Sequence, residues 1–273
     1  MKYNNDVVIF RGGGDIATGS IQKVKRSGFK VIVLEVSKPS SIRRKVCVSE
    51  AVYDGKVKVE DIEAVLANDI EEIKDILKED KIAVFIDEEG TAIEKIKPIA
   101  VIDAILAKKN LGTNRNMAPI TIGLGPGFDA GKNVDIAIET MRGHNLGRLI
   151  FNGKTMENTG VPGIIKGVGK ERVIYSENEG YIENIAHIGD YVQKGQTIAK
   201  VGETDVIASI SGVLRGLIRE NYYVKSGLKI ADIDPREEEK NNCFTISDKA
   251  RNVGGATLEA LMIMLNKKNI STK

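Results

Sequence analysis

Short apolar runs separated by amphipathic stretches set the texture of the first half of the chain. Residues 6–10, 30–35, 82–86, 99–105 and 118–124 are apolar over strand length, and helical spacing predicts helices over 16–27 and 61–78. Runs that stay apolar suit strands buried on both faces, and their alternation with helices predicts a largely parallel sheet covered by helices. The acidic and lysine-rich residues of 60–81 read as a solvated helix face.

After residues 158–163, Asn-Thr-Gly-Val-Pro-Gly, short apolar runs are punctuated by glycine, and no long helical period returns until Ala256. This places a boundary near residue 160. An internal repeat follows at an offset of 32, matching Gly180 to Gly212, Tyr191 to Tyr223, Val192 to Val224, Gly195 to Gly227 and Ile198-Ala199 to Ile230-Ala231. Such copies resemble the two halves of the barrel-sandwich fold of biotinyl and lipoyl domains. Carrier domains of that kind display a modified lysine on the hairpin between the halves. Residues 201–211, Val-Gly-Glu-Thr-Asp-Val-Ile-Ala-Ser-Ile-Ser, contain none, so neither biotin nor lipoate is expected. The C-terminal stretch ends in an apolar helix with lysines in its last turn, where Leu258, Leu261, Met262 and Leu265 form a core or interface stripe. The fold class is therefore α/β: a Rossmann-like, mostly parallel domain over 1–160, a barrel-sandwich-like β domain over 161–240, and a C-terminal segment and helix over 241–273.

Composition narrows the partners. With 40 basic and 38 acidic residues among 273, no charge excess calls for nucleic acid or a membrane surface. No apolar run approaches the about 20 residues a bilayer requires, and no signal peptide opens the chain, so a cytoplasmic protein is expected. Cys47 and Cys243 lack metal-type spacing and read as free thiols, Cys47 at a buried, strand-like position.

Candidate chemistry gathers in loops. Arg11-Gly12-Gly13-Gly14-Asp15 follows a strand and precedes a helix, and Glu35 ends the next strand. Helix N-terminal amides would suit a phosphate and Glu35 a ribose hydroxyl, although the glycine spacing departs from GxGxxG and Asp15 brings a negative charge. A structural turn in which Asp15 caps the helix is the other reading. Arg43 and Arg44 follow the second strand and either grip an anion or sit on the surface. Glu50 and Asp54 are possible acids beside an Asp-Gly turn.

The richest stretch is 123–148, GLGPGFDAGKNVDIAIETMRGHNLGR, where Gly125, Gly127 and Gly131 shape a loop and Asp129, Glu139, Arg142, His144 and Arg148 supply polar groups. No two of these have triad or metal spacing, so no metal site is expected, and the stretch reads as an anion-binding and docking surface. His187 reads as a surface residue. Cys243 precedes Lys249 and Arg251, cations that would lower its pKa on close approach, and it is either a structural thiol or a nucleophile.

The segments 11–19, 42–55, 123–148, 158–163 and 243–251 together resemble the YqeB-type accessory family of selenium-dependent molybdenum hydroxylases, and the N-terminal part is more distantly similar to XdhC-type xanthine dehydrogenase accessory factors. The resemblance covers nearly the whole chain. It implies a maturation role, preparing or inserting the molybdenum cofactor for a purine or xanthine hydroxylase, with that hydroxylase and other maturation factors as partners and homo-oligomerisation open. Whether the protein is an enzyme does not follow. A pterin dinucleotide would be cradled by Arg11, Gly12, Gly13, Gly14, Asp15, Arg43, Arg44, Gly125, Gly127, Arg142, His144 and Arg148, and Cys243 would be the residue to carry a persulfide or selenide. The alternative is an NAD(P)-dependent oxidoreductase, resting on the first glycine loop and Glu35.

Overall fold

The computed structural model describes residues 4–158, 160 and 166–271; of the 158–163 motif, all but Asn158 and Gly160 lies outside the described residues. The chain divides into two units, one of Met1–Pro39, Cys47–Asn158 and Ile246–Lys273, the other of Ser40–Val46 and Thr159–Thr245.

The first unit runs β1 (Asn4–Arg11), α1 (Asp15–Arg26), β2 (Lys30–Glu35), α2 (Ala51–Asp54), β3 (Lys56–Val59), β4 (Ile62–Ala67), α3 (Ile70–Lys78), β5 (Ile82–Ile86), α4 (Ala92–Ile96), β6 (Pro98–Asp103), β7 (Ile120–Leu124), β8 (Asp129–Ala130), β9 (Ile136–Ile138), β10 (Leu149–Ile150) and β11 (Gly153–Lys154). Nine strands form one sheet in the order β10-β9-β7-β6-β1-β2-β5-β4-β3, and β8 pairs with β11 apart from it. The central strands are parallel, whereas β3 pairs antiparallel with β4 and β10 antiparallel with β9. Val8, Ile9, Phe10, Ile32 and Val33 have no exposed surface, as continuous apolar strands covered on both faces require. Asp15 in the first turn of α1 and Lys23, Lys25 and Arg26 in its last complement the helix dipole.

The second unit holds β12 (Val173–Tyr175), β13 (Gly180–Asn184), β14 (Tyr191–Val192), β15 (Thr197–Val201), β16 (Thr204–Ile207), β17 (Gly212–Leu217), β18 (Tyr223–Val224) and β19 (Lys229–Asp234). Its two antiparallel sheets have the orders β12-β19-β17-β14 and β16-β15-β13-β18. The repeat is interlocked: the second strand of each copy pairs with the first strand of the other, β14 with β17 and β18 with β13. Matched residues share their environments. Val192 and Val224, Ile198 and Ile230, and Ala199 and Ala231 are fully buried, while Tyr191 and Tyr223 are exposed. The chain then returns to the first unit as α5 (Asp248–Ser271).

This architecture corrects the expectation of a Rossmann-like domain followed by a barrel-sandwich domain. The large sheet is mixed, and no helix crosses between β6 and β7 or between β7 and β9 as a doubly wound fold would require. The second unit is a pair of small antiparallel sheets. Residues 61–78 also divide, into strand β4 and helix α3, because pairing of β4 with both β3 and β5 overrides the helical spacing of its apolar residues. In α5, Leu261 is buried, Leu258 and Leu265 are half-buried, and Met262 faces water. Among the described residues no helix is long and apolar enough to cross a membrane.

Candidate functional site

Parallel strands deliver their carboxyl ends to one edge of a sheet, where open α/β sheets bind ligands beside a reversal of strand order. Here that reversal lies at β1, with β2 on one side and β6 on the other. Arg11 ends β1, Glu35 ends β2 and Asp103 ends β6. A pocket of about 340 Å³ opens there, lined by Gly12, Glu35, Val36, Glu88, Ile105 and Leu111 with part of Arg11. Asp87 also lines it, yet its carboxylate caps α4 by accepting from the Gly90, Thr91 and Ala92 amides.

Glu35 is the pocket's most distinctive group. Its Oε2 accepts from the Gly13 amide at 2.8 Å and its Oε1 from the Val36 amide at 3.0 Å. Burial pushes its carboxyl above the usual range, and those two amides only partly oppose the rise. Arg11 turns inward. Its guanidinium donates to Thr113 Oγ1 (2.7 Å), Leu111 O (3.2 Å) and Glu88 O (3.1 Å), and Thr113 Oγ1 donates to Asp103 Oδ2 at 2.6 Å. Arg11 and Asp103 are 4% and 2% exposed, so the pair locks three loops together below the pocket.

The glycines of the two loops are explained mainly by the protein's own packing. A Cβ on Gly12 would lie 2.9 Å from Ile105 Cα, and one on Gly13 would press on the Ser49 amide nitrogen at 3.0 Å. Gly14 is the N-cap of α1 with no side-chain cap, and Asp15 opens the helix. A Cβ on Gly125 would lie 2.6 Å from Thr140 Oγ1, and one on Gly127, whose φ is +108°, would lie 2.6 Å from the Lys109 backbone. The second glycine loop is thus filled by protein.

The expected arginine cradle divides in the same way. Arg43 and Arg44 belong to the second unit, where Arg43 donates to Asn242 O at 3.1 Å and Arg44 to Leu217 O at 2.7 Å. Arg142 makes a bidentate pair with Asp248 at 2.9 and 3.0 Å, tying the β9–β10 hairpin to the start of α5. His144 is exposed on that hairpin, and Arg148 is exposed with one long bond of 3.4 Å to Asn145. Cys243 is 1% exposed within the apolar core of the second unit. Burial raises its thiol pKa despite Arg43 and Arg215, whereas Lys249 and Arg251 belong to the first unit. Among the described residues no group of His, Cys, Asp and Glu is arranged to hold a metal.

Sequence reasoning left Asp103, Thr113 and Lys249 out of the site. Asp103 had a signal, since it is the one acid within the apolar run of 99–105. Lys249 had none, because only the fold brings α5 into the field of Asp15 and Glu139. Burial, then Arg142, lowers the Lys249 pKa, while those carboxylates oppose the fall. The folded-state value lies below the unfolded one, so the charge costs the folded state at every pH below both values and nothing once both states are neutral. Lys249→Met is therefore expected to raise the melting temperature of the first unit at pH 7. The gain should shrink as pH climbs toward the ordinary lysine value of about 10.4, as thermal denaturation across pH will read.

A protein of Escherichia coli (strain K12) described as uncharacterized protein YqeB is 45% identical over 270 residues, 98% of this chain and 50% of that relative. The chain belongs to the YqeB-type family. It spans about half the length of that curated relative. No family model matches.

Solved structures similar to the chain include the product-bound ectoine utilization protein EutE (DoeB) of Ruegeria pomeroyi, 15% identical over 83% of this chain and 56% of that one, at a TM-score of 0.23. A succinylglutamate desuccinylase of Silicibacter sp. TM1040 is 15% identical over 85% of both chains, at 0.24. An aspartoacylase family protein of Mesorhizobium loti is 9% identical over 86% and 87%, at 0.26. Likenesses this remote carry no weight for the chemistry of this chain. None of these proteins bears on the XdhC-type similarity.

Proposed function

We propose that the chain is a cytoplasmic accessory protein in the maturation of selenium-dependent molybdenum hydroxylases of the purine and xanthine dehydrogenase type, holding the nucleotide end of the molybdenum cofactor in the strand-end pocket. The observation that carries this reading is Glu35, a half-buried carboxylate at the mouth of a pocket of nucleoside size, fixed by two backbone amides. A carboxylate so held accepts the two hydroxyls of a ribose. The cofactor's phosphates would meet the first amides of α1, where Lys249 offsets the charge of Asp15. Arg11, Arg43, Arg44 and Arg142 are committed to protein partners, so this cradle is smaller than the sequence suggests.

The same Glu35 favours one other reading, an NAD(P)-dependent oxidoreductase. Calorimetric titration of the full chain with molybdopterin dinucleotide, NAD(H) and NADP(H) separates the two. Binding of the pterin dinucleotide is expected, weakened about tenfold or more in Glu35→Ala through loss of charge-assisted hydrogen bonds. Tight nicotinamide binding without pterin affinity would overturn the choice.

A further inference from the structure

A groove of about 380 Å³ lies between the β9–β10 hairpin and the segment that follows it, lined by Glu139, Asn145, Arg148, Phe151, Asn152 and Lys154 among others. It lies wholly within the first unit and contains no residue of the Glu35 pocket. We propose that this groove is a second ligand site, taking a planar aromatic ring that carries a phosphate or carboxylate.

The walls are built before any ligand arrives. The Glu139 amide donates to Arg148 O at 3.0 Å and the Gly147 amide to Glu139 O at 2.9 Å, closing the hairpin tip. The Glu139 carboxylate, 2% exposed, accepts from the Met141 and Met156 amides at 2.7 Å each, fastening the two sides of the groove together. A site fixed this way loses little conformational freedom on binding.

The charge is unbalanced in one direction. The Lys154 ammonium has no hydrogen-bond or ion-pair partner among the described residues, and the side-chain bond of Arg148 is the long one to Asn145. Both oxygens of Glu139, the one carboxylate lining the groove, are already engaged by backbone. Two exposed cations thus line the groove, paired with no carboxylate among the described residues, and an anion would supply charge-assisted bonds to both.

Phe151 adds the requirement for a ring. It is 48% exposed, and the Lys267 ammonium lies 5.2 Å from its ring centroid. An aromatic ligand would stack there, with the amides of Asn145 and Asn152 available to its edges.

The probe is 1-naphthyl phosphate, which has no sugar and so cannot report on Glu35, titrated by its own fluorescence into the full chain with inorganic phosphate and 1-naphthol as comparisons. Saturable binding is expected, weakened about tenfold or more in the Arg148→Ala/Lys154→Ala double variant and about fivefold or more in Phe151→Ala. Circular dichroism melts confirm that the variants fold, and Arg148→Lys/Lys154→Arg should retain most of the affinity. Glu35→Ala should leave this binding unchanged, so failure here is distinct from failure of the cofactor reading. The proposal is overturned if the double variant binds as well as the parent, if inorganic phosphate binds as tightly as the naphthyl ester, or if no binding saturates.

Discussion

Gly19→Val is expected to lower the melting temperature of the first unit by about 6–12 °C, the shift that about 3 kcal/mol of overpacking produces in a body of this size. Gly19 sits mid-way along α1, and a Cβ there would lie 2.4 Å from Ala250 O. Gly254 returns the contact, since its Cβ would stand 2.5 Å from Gly19 O. The two helices therefore touch backbone to backbone. Beside the crossing, the fully buried hydroxyls of Ser20 and Thr257 bond at 3.0 Å, and Thr257 also donates to Val253 O. No rotamer change relieves a clash with a carbonyl on a neighbouring helix. The loss should reach the site as well, because α5 begins at Asp248 and Lys249. Gly255→Ala is the control: nothing lies within 4 Å of its Cβ, and replacing a helical glycine should be neutral or gain up to about 1 kcal/mol. Calorimetry of both variants reads the difference, and a Gly19→Val protein that melts with the parent would show that α5 can lift away at no cost.

That crossing illustrates what a one-dimensional pattern conceals. Gly19 belonged to the recognised RGGGDIATG stretch, where a glycine before or within a helix suggests a ligand, but its partner Ala250 lies 231 positions later. Long-range backbone contact leaves no local mark. The central strands were legible because each is apolar throughout, a pattern that only double-sided burial explains. The repeat was legible in the same way, with Val192 and Val224 both turned into the core. The way its copies exchange strands was not, since pairing β14 with β17 depends on three-dimensional register. β4 was hidden for the opposite reason. Its burial alternates only partly, and strand pairing on both sides settles its state.

Within the candidate site the same division holds. Glu35 could be found because an acid at the end of an apolar strand must face the sheet edge. The arginines could not be assigned from sequence, because a guanidinium serves equally as a ligand grip or as a clasp for carbonyls, and only geometry decides. Arg43 and Arg44 are clasps. Phe151 and Lys154 fell just beyond the glycine-rich stretch and lacked any motif, yet the hairpin folds them beside Arg148.

Arg11→Met should cost about 3–5 kcal/mol, because it leaves the Asp103 carboxylate buried without its cation. Burial already raises the Asp103 pKa, with Thr113 Oγ1, the Ile105 amide and Arg11 opposing in that order. Removing Arg11 must push it higher. A carboxyl whose folded-state pKa exceeds its unfolded value stabilises the fold when protonated, and that contribution disappears as pH rises through the folded value. The deficit of Arg11→Met against the parent should therefore be greatest at neutral pH and should narrow as pH falls toward the ordinary aspartate value of about 3.9. Asp103→Asn introduced into the same protein should recover much of the loss, since Thr113 keeps a partner while the uncompensated charge is gone. A double-mutant cycle by urea denaturation at pH 7 and pH 5 measures both effects. If the two substitutions simply add, with no dependence on pH, the pair does not hold the strand-end loops. The pocket above them must then owe its shape to the backbone contacts of Gly12 with Ile105.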